Sequence, residues 1–296
     1  MKQNVSEQVA DLGRQIVSFE GVEIIPKEIR HLLESNWRDQ RVCEYLIENS
    51  EICRILCNNP ANFEMLELVY FGRSIRGVTD GIDAMLSNSL SGQALRDRLV
   101  VVSDLVVTWL RNRPEKGTQV YDFGAGPGPY AIETLRKLGK VKNLRWRCVD
   151  LDQMALIIGR KRVRESGLDQ IVSFEAGNFM SRDSYPASPV DQVDFGLMIG
   201  ILCGMTCEDA SECLSKVKPH FKPGGEIIAA TLLTRSFEED PRTYRMLCNV
   251  LGWQLRPKSL DEVRGVFETA GWQILNISSE RADGKGQYAI VHAKLA

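Results

Sequence analysis

Five residues hold the chemistry that this sequence makes most legible. Asp122, Gly124, Gly126 and Gly128 lie in the stretch Val120-Tyr121-Asp122-Phe123-Gly124-Ala125-Gly126-Pro127-Gly128-Pro129-Tyr130, where an apolar run passes into helix-like spacing. Asp150 ends the next apolar run, about 22 residues past Gly128. Glycines at a strand-to-helix turn let the backbone pass close under a ligand, and the helix N-terminus offers free N–H groups to it. Asp122, two residues before Gly124, would repel a pyrophosphate and suits a ligand with an amino group and a sulfonium. An acid at the position of Asp150 accepts hydrogen bonds from ribose hydroxyls. Asp152 is the more natural cap for the helix that follows, which leaves Asp150 available.

Two other uses of these residues stand beside that one. Gly124–Gly128 could be a tight turn alone, with Asp150 as a helix cap. A nicotinamide dinucleotide could also be the ligand, but its fingerprint is Gly-x-Gly-x-x-Gly. Here Gly128 comes one residue too early, and Pro129 stands where an N–H donor would help.

The elements that must position these residues follow from periodicity. From Gly117 onward, short apolar runs at Gln119–Phe123, Leu144–Val149, Ile171–Glu175, Val193–Ile199 and Glu226–Thr231 alternate with helical patterns near 129–138, 153–166 and 207–220. This rhythm calls for a parallel sheet covered by helices on both faces. A helix over Ser259–Ala270 and two more strands, Gln273–Ser279 and Gln287–His292, close the chain. Asp283-Gly284 between those strands signals a hairpin, so the sheet ends in an antiparallel pair. Residues 1 to about 113 read as helical, with Asn59-Pro60 as a break and Gly72–Asp80 as irregular chain. Gln93–Arg113 reads as one long helix ended by Pro114 and Gly117. The expected division is a helical region over 1–115 and an α/β domain over 116–296.

With these motifs in this order, the chain resembles class I S-adenosylmethionine-dependent methyltransferases, those acting on small molecules above all. The first motif of that family looks like Asp-x-Gly-x-Gly-x-Gly, matched by Asp122, Gly124, Gly126 and Gly128; its second-strand acid is matched by Asp150. Gly177-Asn178-Phe179 matches the turn after the third strand, with Asn in place of Asp, and Pro223-Gly224-Gly225 matches the turn before the fifth. The resemblance covers about 118–294. It implies a Rossmann-like seven-stranded sheet, parallel with a reversed last strand and flanked by helices, and S-adenosylmethionine as cofactor. It also implies cofactor contacts from Asp122, Gly124, Ala125, Gly126, Gly128, Tyr130, Asp150, Leu151, Gly177, Asn178 and Phe179. Asn178 could accept from the adenine amino group through its amide oxygen, and Phe179 could support the ring. Arg98, with Arg96 on the helix before the first strand, could pair with the cofactor's carboxylate.

The acceptor side is less marked. Methyl transfer from a sulfonium is an in-line displacement, in which alignment and exclusion of water are the main tasks. In small-molecule O-methyltransferases the region after the fifth strand walls the acceptor pocket, and here it offers Tyr244, Met246, Asn249 and Trp253. Many of those enzymes carry a His after the fourth strand. The matching place, Leu202-Cys203-Gly204-Met205, has none, and His31, His220 and His292 lie elsewhere. No catalytic residue is therefore assigned. Glu208 and Asp209 are near the right place, but Thr206 to Asp209 has the spacing of a capping box. The (Asn/Asp)-Pro-Pro-Tyr motif of nitrogen methylases is absent where Asp194-Phe195-Gly196-Leu197 stands.

Composition narrows the remaining classes. A net charge of -2 argues against non-specific nucleic-acid binding. The most apolar stretch, Leu99–Leu110, is broken by Ser103 and Asp104, so no membrane span is expected. Met1–Gly13 is polar and lacks the apolar core of a secretory signal, which makes a cytoplasmic location the expectation. Eight cysteines without Cys-x-x-Cys, and with no His beside the Cys53/Cys57 and Cys203/Cys207 pairs, read as reduced thiols, and no metal site is expected. The reading at this point is a methyltransferase acting on a small-molecule acceptor, with the helical region as a lid, substrate or homodimer element. A catalytically silent cofactor-binding protein on the same scaffold is the alternative, and an NAD-dependent oxidoreductase the second.

Overall fold

The computed structural model describes residues 18–19, 22–23, 25–36, 38–59, 62–71, 73–74, 77–78, 81–113, 117–139, 141–180 and 192–295. The polar Met1–Gly13 stretch, Pro60, Gly72 and Pro114 lie outside them. The chain forms two compact units. One is Met1–Arg96 with Ser236–Leu255, and the other is Asp97–Arg235 with Arg256–Ala296.

The first unit is built of helices: α1 (Lys27–Ser35), α2 (Gln40–Asn49), α3 (Glu51–Asn58), α4 (Phe63–Phe71), α5 (Gly81–Asn88) and the start of α6 (Leu90–Arg111). Their apolar faces bury Val42, Leu46, Ile52, Leu56, Leu68 and Ile82. One buried acid organises two of them. Asp83 of α5 accepts from the Ser50 hydroxyl and from the Glu51 and Ile52 N–H groups, while Ser50 accepts from Cys53 N–H. The free donors at the start of α3 are thereby satisfied from a different helix. Arg96 donates to the carbonyls of Val69 and Ser87, which makes it a strut within this unit. Two-residue ladders, Ser18–Phe19 with Val22–Glu23 and Arg73–Ser74 with Gly77–Val78, also occur. Strands this short leave no alternation to read, which is why the Gly-rich stretch looked irregular.

Ser236–Leu255 belongs to the same unit as the N-terminal helices although it follows the fifth sheet strand in sequence. It carries most of α10 (Arg235–Glu239), α11 (Pro241–Arg245) and a π-helical turn, Met246–Val250. Asp240 there accepts from the backbone N–H and the hydroxyl of Ser91 at 3.1 and 2.8 Å.

The second unit holds a seven-stranded sheet. Its strands are β1 (Thr118–Phe123), β2 (Leu144–Asp150), β3 (Val172–Ala176), β4 (Val193–Ile199), β5 (Phe221–Leu232), β6 (Trp272–Ser278) and β7 (Tyr288–Leu295). The spatial order is β6-β7-β5-β4-β1-β2-β3. Pairing is parallel through β5-β4-β1-β2-β3, and β7 runs antiparallel to both β5 and β6. This is the expected seven-stranded sheet with a reversed last strand. The helices α7 (Pro129–Leu138), α8 (Gln153–Glu165), α9 (Cys207–Val217) and α12 (Leu260–Thr269) are the connections. β4 is buried from Phe195 to Ile199, as a strand covered on both faces must be. Tyr121, Phe123, Phe221, Phe267 and Trp272 fill one core around it.

The caps read from the sequence are present. Asp152 accepts from Met154 and Ala155 N–H, and Thr206 accepts from Asp209 N–H. β5 starts earlier than the apolar run suggests, because Pro223-Gly224-Gly225 is drawn into the strand.

Candidate functional site

The parallel strands β1–β4 all point their C-terminal ends to one edge of the sheet, where α/β folds bind ligands. Asp122 and the glycine loop leave β1 there, Asp150 leaves β2, and Gly177-Asn178-Phe179 follows β3.

The loop is shaped by left-handed backbone. Gly124, Gly126 and Gly128 have φ of 67°, 55° and 74°, values that side-chain-bearing residues rarely adopt. Space demands glycine as well. A Cβ on Gly124 would lie 2.4 Å from Ile201 Cδ1, and one on Gly128 would lie 2.8 Å from Phe174 Cζ. Gly124 and Ala125 N–H groups donate to Val149 O at 2.8 and 3.2 Å, which ties the loop to the end of β2.

Asp150 is the junction of the site. Its Oδ2 accepts from Gly126 N–H at 2.7 Å, its Oδ1 accepts from Asp152 N–H at 2.9 Å, and its backbone oxygen accepts from Gly177 N–H at 3.0 Å. Each carboxylate oxygen has a second lone pair, so two hydroxyl donors can still be received. Leu151 beside it is 67% exposed, an apolar side chain presented at the rim. Phe179 is half-buried, edge-on to Phe123, with its Cε1 3.7 Å from where a Gly124 Cβ would be. Asn178 turns its Oδ1 to Met180 N–H at 2.9 Å, so its oxygen already holds the local turn.

Asp122 is buried, and its Oδ2 has no hydrogen-bond partner among the described residues. Burial, and then the charge of Asp150, raise its pKa well above the usual carboxylate value. A buried acceptor left unmet is costly, and a cationic donor would satisfy it. The same loop suits phosphate poorly. Gly128 N–H is committed to Ala125 O at 3.0 Å, and Pro129, the first residue of α7, has no N–H. The residues present therefore fit an amino-bearing, ribose-bearing ligand and not a pyrophosphate.

Arg98 of α6 is buried against this edge. Its Nε donates to Tyr130 Oη at 3.1 Å, and its guanidinium carbon lies 4.5 Å from the centre of the Tyr288 ring. The Cβ position of Gly200, just after β4, is 3.9 Å from an Arg98 terminal nitrogen. Arg98 thus stands by the exit of β4, while Arg96 serves the helical unit. Sequence reasoning missed Ile201 and Tyr288, since nothing in their local sequence marks these long-range contacts.

The acceptor candidates Tyr244, Met246, Asn249 and Trp253 all fall in the Ser236–Leu255 segment of the helical unit, whereas every cofactor candidate lies in the sheet unit. Tyr244 and Met246 are buried, Tyr244 stacks on Phe237 at 4.7 Å, and Asn249 is exposed. Asp209 is occupied as a cap, its Oδ2 accepting from Thr206 Oγ1 at 2.7 Å, which holds its carboxyl below the usual value. Among the described residues no cluster of three or more His, Cys, Asp or Glu could hold a metal ion, and no helix is long and apolar enough to cross a membrane.

Comparison with known proteins bears on the fold and the family. Residues 120–225 match a family described as "Methyltransferase domain". A ribosomal protein L11 methyltransferase of Vibrio cholerae is 26% identical over 141 residues, which is 48% of this chain and 42% of that protein. The chain thus spans less than half the length of the curated relatives it matches. A possible exported protein from Bordetella parapertussis has a similar structure over 99% of this chain and 97% of its own, with a TM-score of 0.68 and 16% identity. Magnesium protoporphyrin IX methyltransferase from Synechocystis, solved with bound S-adenosylhomocysteine, is similar over 87% of this chain and 99% of its own, with a TM-score of 0.58 and 13% identity. These likenesses show a class I methyltransferase fold.

Proposed function

We propose that this chain, which carries a methyltransferase domain over residues 120–225, is an S-adenosylmethionine-dependent methyltransferase acting on a small-molecule acceptor. The observation that carries the reading is the buried Asp122 carboxyl, whose Oδ2 has no hydrogen-bond partner among the described residues, beside a glycine loop held by Asp150. In it, Asp122 takes the cofactor's ammonium, Asp150 takes the ribose hydroxyls, and the left-handed turns of Gly124, Gly126 and Gly128 let Ala125 and its neighbours pass beneath. Leu151 and Phe179 flank the adenine, with Gly177 and Asn178 shaping the turn below it. Arg98 receives the cofactor's carboxylate through its guanidinium, which Tyr130 Oη orients.

The bound cofactor supplies an electrophilic methyl on a sulfonium, and the chain's task is to align a nucleophile with it and exclude water. Asp209, which follows β4, accepts from Thr206 Oγ1 at the helix cap, and no general base is assigned. An acceptor that is already nucleophilic, or already ionised, fits such a site best. The small-molecule class is supported by the likeness to magnesium protoporphyrin IX methyltransferase. The match to a protein methyltransferase covers too little of either chain to set the acceptor. Tyr244, Met246, Asn249 and Trp253 are proposed to wall the acceptor, the helical region over 1–115 to act as its lid or as a homodimer element, and the domain to run over 116–296. A cytoplasmic location fits the eight free cysteines.

The test is incubation with methyl-labelled S-adenosylmethionine and a cell extract, followed by separation by size. Label in the small-molecule fraction is expected. Label confined to protein would overturn the acceptor class. Tight cofactor binding without any labelled product would favour the catalytically silent scaffold.

A further inference from the structure

Lys258 is a buried ammonium that forms no salt bridge among the described residues. It is 3% exposed, and its Nζ donates to three carbonyls: Leu202 at 2.9 Å, Met205 at 2.8 Å and Arg256 at 3.1 Å. Leu202 and Met205 bracket the 3₁₀ turn that follows β4. Leu202 O also accepts from Met205 N–H at 3.3 Å, and a cation is well placed as a further donor to the carbonyls at the end of such a turn. The backbone around Lys258 extends the same tie. Arg256 N–H donates to Cys203 O at 2.7 Å, Lys258 N–H donates to Leu232 O at 2.9 Å, and Lys258 O accepts from Thr234 N–H at 3.0 Å. One short segment thus binds the exits of β4 and β5 together.

The turn it holds bears directly on the glycine loop. Ile201, immediately before Leu202, fills the space where Gly124 would carry a side chain, with Cδ1 2.4 Å and Cγ1 3.1 Å from that position. Leu202 is buried in the core, and Ile201 packs on the same core. The chain of contact runs from the ammonium through two carbonyls to Ile201, and from Ile201 to Gly124.

We propose that Lys258 is a positioning residue that sets the shape of the glycine loop from behind, by fixing the turn that presses Ile201 onto Gly124. For its effect on cofactor affinity the proposal rests on the reading of the glycine loop as a cofactor site. Its effect on the loop itself does not.

The charge of Lys258 gives the device a pH limit. Burial pulls its pKa below the usual lysine value, with Arg256 acting in the same direction; Cys203, Cys207 and Glu262 oppose. A lysine with a depressed pKa holds its three carbonyls at neutral pH and releases them earlier in the alkaline range than an exposed lysine would.

The test compares wild type, Lys258→Met, Lys258→Arg and Ile201→Ala by hydrogen exchange without ligand and by S-adenosylhomocysteine titration. Lys258→Met should speed exchange over 120–128 and 200–206 and leave 153–165 unchanged. It should weaken the ligand about tenfold in the native background and hardly at all in the Ile201→Ala background, as coupled residues do. Lys258→Arg should restore binding to within about threefold, since it keeps the charge. A folded Lys258→Met protein with wild-type exchange over 120–128, or additive losses in the two backgrounds, overturns the proposal. Should Lys258→Met not fold, the pair of wild type and Lys258→Arg decides. Exchange over 120–128, corrected for its intrinsic pH dependence, should rise in alkaline solution for wild type alone, and parallel profiles overturn the proposal. A loop that responds to Lys258 in a protein that binds no S-adenosylhomocysteine supports the positioning role and sinks the cofactor reading instead.

Discussion

Asp122 and Asp150 leave neighbouring parallel strands at the same edge of the sheet, and the charge of Asp150 adds to burial in holding the proton on Asp122. The unfolded chain gives up that proton near pH ~3.9, the ordinary aspartate value, while the folded, ligand-free protein keeps it to higher pH. Between those two values the folded state binds more protons, so the contribution of Asp122 to stability falls as pH rises. Asp122→Asn removes this liability. We expect the ligand-free Asn variant to melt a few degrees above wild type at pH 7 and to converge with it near pH ~4. It should also bind S-adenosylhomocysteine less tightly, since the anionic partner of the ammonium is gone. A variant less stable than wild type at neutral pH would contradict this account of Asp122.

Glycine is required at position 128 for two separable reasons. Gly128 has φ of 74° and no room for a Cβ beside Phe174, whereas Gly167, which closes the C-terminus of α8, has φ of 67° with nothing within 4 Å of its Cβ position. Gly167→Ala should lose about 1 kcal/mol from the backbone alone, and Gly128→Ala clearly more, about 2–4 kcal/mol. Urea midpoints of the two variants measure the difference, and equal losses would show that Phe174 yields.

Glu226 of β5 accepts from Trp109 Nε1 at 2.9 Å, from Arg113 at 2.6 Å and from His292 Nε2 at 2.7 Å, which joins α6 to β5 and β7. None of these partners belongs to the proposed cofactor set. Glu226→Ala should cost about 2 kcal/mol of stability, because Trp109 loses a largely buried partner. Affinity for S-adenosylhomocysteine in the folded variant should stay within about twofold of wild type, as expected for a distant site. A larger loss would mean that α6 transmits strain to Arg98.

Arg98 offers a sharper test of the methionine end of the pocket. Its guanidinium rests on Tyr288 and Tyr130. Arg98→Ala should weaken S-adenosylhomocysteine at least about tenfold, and Tyr130→Phe only about two- to threefold, because one neutral hydrogen bond is worth less than a charge-assisted pair. Unchanged affinity in Arg98→Ala would take Arg98 out of the cofactor site.

What the sequence made legible was local. Asp122, the three glycines and Asp150 sit within one strand–turn–helix–strand unit, so their spacing alone reports their geometry, and the caps at Asp152 and Thr206 are written in a few consecutive residues. The contacts that finish the site come from far along the chain. Ile201 meets Gly124, Tyr288 meets Arg98, and Lys258 meets Leu202, pairings that only the order of the strands brings about. Ser236–Leu255 joins the N-terminal helices for the same reason, since Ser91 and Asp240 are far apart in sequence and bonded in space. Asn178 shows what matching a motif by residue type leaves out. Its oxygen accepts from Met180 N–H, a local turn bond that the motif does not announce, and an amide oxygen has a second lone pair for the expected adenine amino group.

The central claim is that the loop after β1, held by Asp150, binds S-adenosylmethionine. The most direct measurement is calorimetric titration of S-adenosylhomocysteine into the native protein and into Asp150→Ala, with NADH as the competing ligand. Micromolar binding to the native protein that Asp150→Ala weakens about tenfold or more is predicted, since the substitution removes both the ribose acceptor and the hold on Gly126 N–H. No binding of S-adenosylhomocysteine to the native protein, with NADH bound in its place, would contradict the account.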